Sequence, residues 1–229
     1  MKNGAVNDRP GLLARYERQP VLRGLIQLIP FSIGSAADSA LLTQLNNYRD
    51  QKLRTFFDEL GSGSIELTEE QVSSNDFLHC YFATVSAALR SRRSEKICLL
   101  ARILRGQIEG EVSSTDEYEE IVGIVDELSY REVQIISILY KKERDYPAAG
   151  HENDLQRAMR IWPDFEQEVR LALGIDPELL RSMLVRIQRS GCYEEFTGSF
   201  LDYTGGMGKT TPLYLKIMNA VATIADKTA

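Results

Sequence analysis

The sequence predicts a mainly α fold in two parts: a helical bundle over residues 1–127, and helices closed by a small β element over 128–229. Three observations carry this. Apolar residues recur at helical spacing in almost every segment, as in Leu53, Phe56, Phe57 and Leu60. No stretch in the first 128 residues alternates like a strand. The glycines that break the pattern late in the chain, Gly191 and Gly205–Gly208, flank short runs that read as two or three strands.

The bulk properties bound the function. At 229 residues, 43% hydrophobic and 26% charged, the chain can bury real cores. A net charge of −6 and a pI near 5.2 oppose a chain-wide nucleic-acid binder, which needs a basic surface. Cys80, Cys98 and Cys192 are too widely spaced for a zinc or disulfide framework, and His79 and His151 are too few for a histidine metal site. No cofactor, metal or small-molecule substrate is therefore expected. The polar start, MKNGAVNDRPG, carries no apolar leader core, and no window reaches the ~20 apolar residues of a membrane span. A cytoplasmic protein is expected.

The elements follow in order. Asp8 caps a helix over Arg9–Gln19, with Pro10 in its first turn, and Pro20 ends it or starts the next. Val21–Leu42 is the most apolar stretch, interrupted by Pro30 and Gly34. It reads either as a buried helix, a bend and a second helix capped near Ser35 or Asp38, or as a segment that enters a membrane on a trigger. A long helix then carries Leu41, Leu42, Leu45, Tyr48, Leu53, Phe56, Phe57 and Leu60 and stops at Gly61–Ser64. Thr68 with Gln71 forms a capping box that opens a helix with Phe77, Leu78, Tyr81, Phe82, Val85 and Leu89 inward and His79 at the core edge. Arg90, Arg92 and Arg93 make the densest basic patch, a solvated corner or an anion site, with Ser94 capping the next helix. Thr115 starts a helix whose Asp116, Glu117, Glu119 and Glu120 suit its positive end.

Ser129 caps the helix SYREVQIISILYKKE, a loop follows over 144–153, and Asp154–Leu173 is helical with a bend or break at Pro163 and Trp162 in the core. Asp176 caps a helix with Pro177 at its first position and Leu179, Leu180, Met183, Leu184 and Ile187 apolar. Gly191 stops it. A strand over Cys192–Thr197, a Gly-rich loop, a strand near Lys209–Thr211 and a helix from Pro212 complete the chain.

Helix, glycine stop, strand, loop, strand, helix is the order of the back half of a winged helix. LVRIQRSGCYEE, TTPLYLKIM and LSYREVQIISIL resemble the corresponding phrases of winged-helix domains, which implies a macromolecule-binding module over 128–229. Arg181, Arg186, Gln188 and Arg189 on its third helix are the candidate contact residues. Glu194, Glu195 and Asp202 make the wing acidic, so a protein partner or self-association stands beside duplex DNA. LIPFSIGSAADSALL followed by YRDQKLRTFFDEL resembles uncharacterised bacterial helical proteins related to the abortive-infection alpha family, which implies a role in phage defence or a mobile element.

Gly205–Thr211, GGMGKTT, nearly spells a phosphate-binding loop. Tyr203 stands where the first glycine belongs, Pro212 would interrupt the following helix, and only 18 residues follow Thr211, too few for the remaining strands. The expectation is a non-enzymatic binding protein, with a membrane-active effector and a nucleotide binder as alternatives.

Overall fold

A computed structural model describes residues 12–29, 39–62, 68–110, 114–197 and 205–222, with the side chains of 39–43 and 222 left aside. It is mainly helical, 75% of the chain, with eleven helices and one two-stranded antiparallel sheet among the described residues. The chain divides into two compact units, Met1–Tyr118 and Glu119–Ala229.

In the first unit, α1 (Leu12–Arg15) is a single turn and Pro20 starts α2 (Pro20–Gln27) rather than ending a longer helix. The expected start at Asp8 and Pro10 lies outside the described residues. Leu22, Leu25, Ile26 and the following Ile29 are buried, and the Tyr81 hydroxyl donates to the Leu25 carbonyl at 2.6 Å. The first part of the apolar 21–42 segment is thus core; the bend at Pro30 and the caps at Ser35 or Asp38 lie outside the described residues. No helix among the described residues is long and apolar enough to cross a membrane.

Helix α3 (Ser39–Leu60), α5 (Asn75–Arg90) and α6 (Ser94–Ile108) pack against one another around Leu53, Phe56, Phe57, Tyr81, Leu100 and Leu104. Burial of each such side chain contributes roughly 1.5–3 kcal/mol. Lys52 enters this core on its aliphatic stem, and its ammonium donates to the Leu89 carbonyl at 2.5 Å. Leu45 and Tyr48, expected inward, are 41% and 50% exposed, and among the described side chains of α3 the buried ones run from Lys52 onward. Phe82 and His79 likewise face solvent.

Two helix starts differ from expectation, while Thr115 opens its helix as expected. Thr68 and Gln71 do form a capping box, but the helix they open, α4 (Glu69–Val72), is one turn long. Ser74 then offers its hydroxyl to the Phe77 N–H at 3.1 Å and restarts the chain as α5. Ser94 lies inside α6, with Arg93 in the cap position and no side-chain cap bond. Ser114, ahead of α7 (Thr115–Glu127), accepts the Glu117 N–H at 3.2 Å.

In the second unit, Ser129 and Glu132 box the start of α8 (Tyr130–Asp145), and Asn153 with Gln156 boxes that of α9 (Asp154–Leu173). Helix α9 continues through Pro163 without a break. A proline there costs about 3 kcal/mol, and the buried Ala158, Ile161 and Trp162 before it and Phe165 and Val169 after it hold both halves to one core. Gly174, at φ 65°, ends α9 in the left-handed conformation. Helix α10 (Pro177–Arg189) packs on α8, α9 and β1 (Tyr193–Glu195), which pairs with β2 (Gly208–Thr210) in the register Tyr193↔Thr210, Glu194↔Lys209, Glu195↔Gly208. Helix α11 (Pro212–Ala222) closes the chain; Tyr214 shares a hydrogen bond with Ser137 of α8 at 3.1 Å and stacks edge-on against Tyr140.

Candidate functional site

Helix α10 is positioned by its own sequence. The Asp176 carboxylate accepts the Leu179 N–H at 2.8 Å, Pro177 occupies the first position, and Leu180, Met183, Leu184 and Ile187 are buried. Its opposite side is solvent: Arg181, Ser182, Val185, Arg186, Gln188 and Arg189 are all exposed. Two large apolar side chains share that exposure, Leu179 at 45% and Val185 at 47%. Leu179 was expected inward; it stands one position, about 100°, from Leu180, which takes the core place. Val185 lies outside the apolar stripe of α10, with Arg181, Ser182, Gln188 and Arg189 as its polar neighbours one turn away.

The four expected contact residues are not equivalent. Arg186 reaches back to Glu132 of α8, Nε to Oε1 at 3.0 Å, while Glu132 is 1% exposed and its other oxygen accepts the Ser129 N–H at 2.7 Å. Arg186 therefore neutralises a buried carboxylate. Arg181 stands beside the loop that leads into β2, where a Cβ on Gly206 would lie 3.8 Å from its Nε. Gln188 and Arg189 extend along the last turn. Arg90, Arg92 and Arg93 lie between α5 and α6 in the first unit, so the two arginine groups belong to different units.

Carboxylates face most of the donors of the β1–β2 hairpin. Gly205 and Gly206 have φ 95° and 90°, which frees the backbone to turn, and the Gly206 N–H donates to Glu195 at 2.8 Å. Lys209 pairs with Asp154 at 2.6 Å and lies 4.0 Å from Glu194. Thr210 donates its N–H to Glu143 Oε1 at 2.8 Å and its hydroxyl to Oε2 of the same carboxylate. Gly208 has no room for a side chain, since a Cβ would stand 2.2 Å from the Glu194 carbonyl. Donors that a phosphate would need on this stretch thus already have partners, carboxylates for Gly206, Lys209 and Thr210 and backbone carbonyls for Thr211, and β2 is extended strand where a phosphate loop would curl into a helix. Burial pushes the Glu143 carboxyl above its ordinary value, against the opposing pull of the Thr210 bonds.

Elsewhere the reactive groups are engaged. Cys80 and Cys192 are buried and Cys98 half-buried; burial raises the thiol pKa of Cys98 and Cys192, away from the thiolate. Among the described residues no group of three or more His, Cys, Asp or Glu could hold a metal ion. A cleft of about 530 Å³ in the first unit is walled by Arg15, Tyr16 and Asp58. There Arg15 grips Asp58 at 3.0 and 2.8 Å, and the Tyr16 hydroxyl donates to the same carboxylate at 2.7 Å.

Comparison with known proteins adds no relative: no family model, no curated protein and no solved structure matches the chain.

Proposed function

We propose that the chain is a non-enzymatic contact protein, and that its second unit is a winged-helix-like module presenting the outer side of α10 to another protein. The order α8, α9, α10, β1, β2, α11, with α10 against β1, supports the winged-helix reading. The observation that carries the function is the pairing of exposed Leu179 and Val185 with Arg181 and Arg189 on one helix, beside a wing whose lysine is already neutralised. A duplex-binding wing offers cations to phosphates; this one offers Glu194 and Glu195. Apolar residues among arginines are instead the composition of protein contact surfaces.

A salt-titrated binding assay with mixed-sequence duplex DNA tests the choice of partner. Little or no binding is expected even at low salt, where phosphate contacts are strongest. Tight low-salt binding that is lost on replacing Arg181 and Arg189 with alanine would make α10 a nucleic-acid reader.

A further inference from the structure

We propose that the occupant of the α10 surface is helix α7 of a second copy of this chain. The inference rests on the reading of α10 as a protein-contact surface and names its partner. Helix α7 is TDEYEEIVGIVDE: it carries six acidic residues and neither lysine nor arginine. Its exposed Glu120, Gly123 and Glu127 fall at spacings of three and four, one stripe along the helix. On α10, Ser182, Val185 and Arg189 are exposed at the same spacings, with Arg181 beside Ser182.

The two stripes match in charge and in shape. Both cover seven residue steps, about 10 Å of helix. Laid together in parallel, Val185 meets Gly123 and Arg189 meets Glu127, while Arg181, beside Ser182, reaches Glu120. Gly123 makes the fit: a Cβ there would find nothing within 4 Å, so the stripe has a smooth gap between two carboxylates where a valine can seat. With a net charge of −6, two copies repel overall, so the local opposite charges both allow the contact and fix its register.

Sedimentation velocity on the full chain reads the result. The expected outcome is a self-associated species at low ionic strength that dissociates as salt rises. Arg181→Glu with Arg189→Glu, and separately Glu120→Lys with Glu127→Lys, should each weaken association about a hundredfold, because like charges then face each other. All four positions are exposed, and unchanged far-UV circular dichroism confirms that the variants fold. Mixing the two reversed proteins should restore a heterologous complex. Gly123→Gln, which fills the gap without meeting its own chain, should weaken association without lowering the melting temperature, since it replaces a mid-helix glycine with a better helix former. A wild-type chain that stays monomeric at ~100 μM in low salt, or reversed variants that fail to recombine, overturns the inference. If α10 variants then still lose a different protein partner, the contact surface stands and only its occupant was wrong; if low-salt duplex DNA occupies α10, both fall.

Discussion

Glu143 and Glu152 carry opposite pH signatures in the same unit. The Glu143 carboxyl is raised above its ordinary 4.5, chiefly by burial. The folded chain therefore holds that proton more tightly than the unfolded one, and its contribution to stability is full below 4.5 and falls as pH rises through the folded value. Glu152 is held down to about 2, first by its hydrogen bonds from Arg160 and then by the Ala149 N–H. Its contribution is present above 4.5 and lost as pH falls towards 2. Two-dimensional carboxyl NMR titration should find Glu152 titrating near 2 and returning towards the ordinary value in Arg160→Met. Denaturant melts should show Glu143→Gln gaining on the wild type as pH rises above 4.5. Among the arginines, Arg186→Ala is expected to cost about 1 kcal/mol in stability, because it removes a charged partner from buried Glu132. Arg181→Ala and Arg189→Ala should leave the melt unchanged and act on binding alone. The sequence placed all three arginines on α10; that one of them serves the fold could not be read there, because Glu132 lies 54 positions away in sequence and meets it only through the α8–α10 packing.

At the scale of elements, capping and glycine chemistry made most boundaries legible. The Ser129 cap, the Asp176 cap with Pro177, and the Gly191 stop are local rules written in a few consecutive residues. The misreadings arose where packing overrides the local signal, at Pro163 inside α9 and at exposed Leu45, Tyr48 and Leu179. Gly208 shows the same limit from the other side. Its sequence context suggested a phosphate cradle, whereas the structure needs glycine because the Glu194 carbonyl and the Tyr193 ring leave no space. Gly208→Ala should therefore destabilise the second unit by about 1–3 kcal/mol, read from a denaturant midpoint. An effect within experimental error would mean that β1 and β2 do not pair as closely as described.

For the molecule as a whole, two compact units each have their own buried residues, Phe56, Phe57, Leu100 and Leu104 in one and Ile135, Ile136, Phe165 and Ile187 in the other. Trp162, the single tryptophan, is buried in the second and donates to Glu166 at 3.0 Å, so its fluorescence reports that unit alone. Thermal unfolding followed by Trp162 emission and by far-UV circular dichroism should give different midpoints; coincident curves would mean a single cooperative unit. The mainly helical class was legible from apolar periodicity, which needs only local spacing. The proposed contact surface was legible in its charges but not in Leu179 and Val185, whose exposure depends on which side of α10 the core claims. The most direct test places a photo-crosslinking amino acid at position 185 of the full chain and identifies the adduct by mass spectrometry in cell extract. A protein adduct, lost when Leu179 and Arg189 are both replaced by glutamate, is the predicted result. A nucleic-acid adduct, or a protein adduct indifferent to those replacements, would contradict the assignment of α10 as a protein-contact surface.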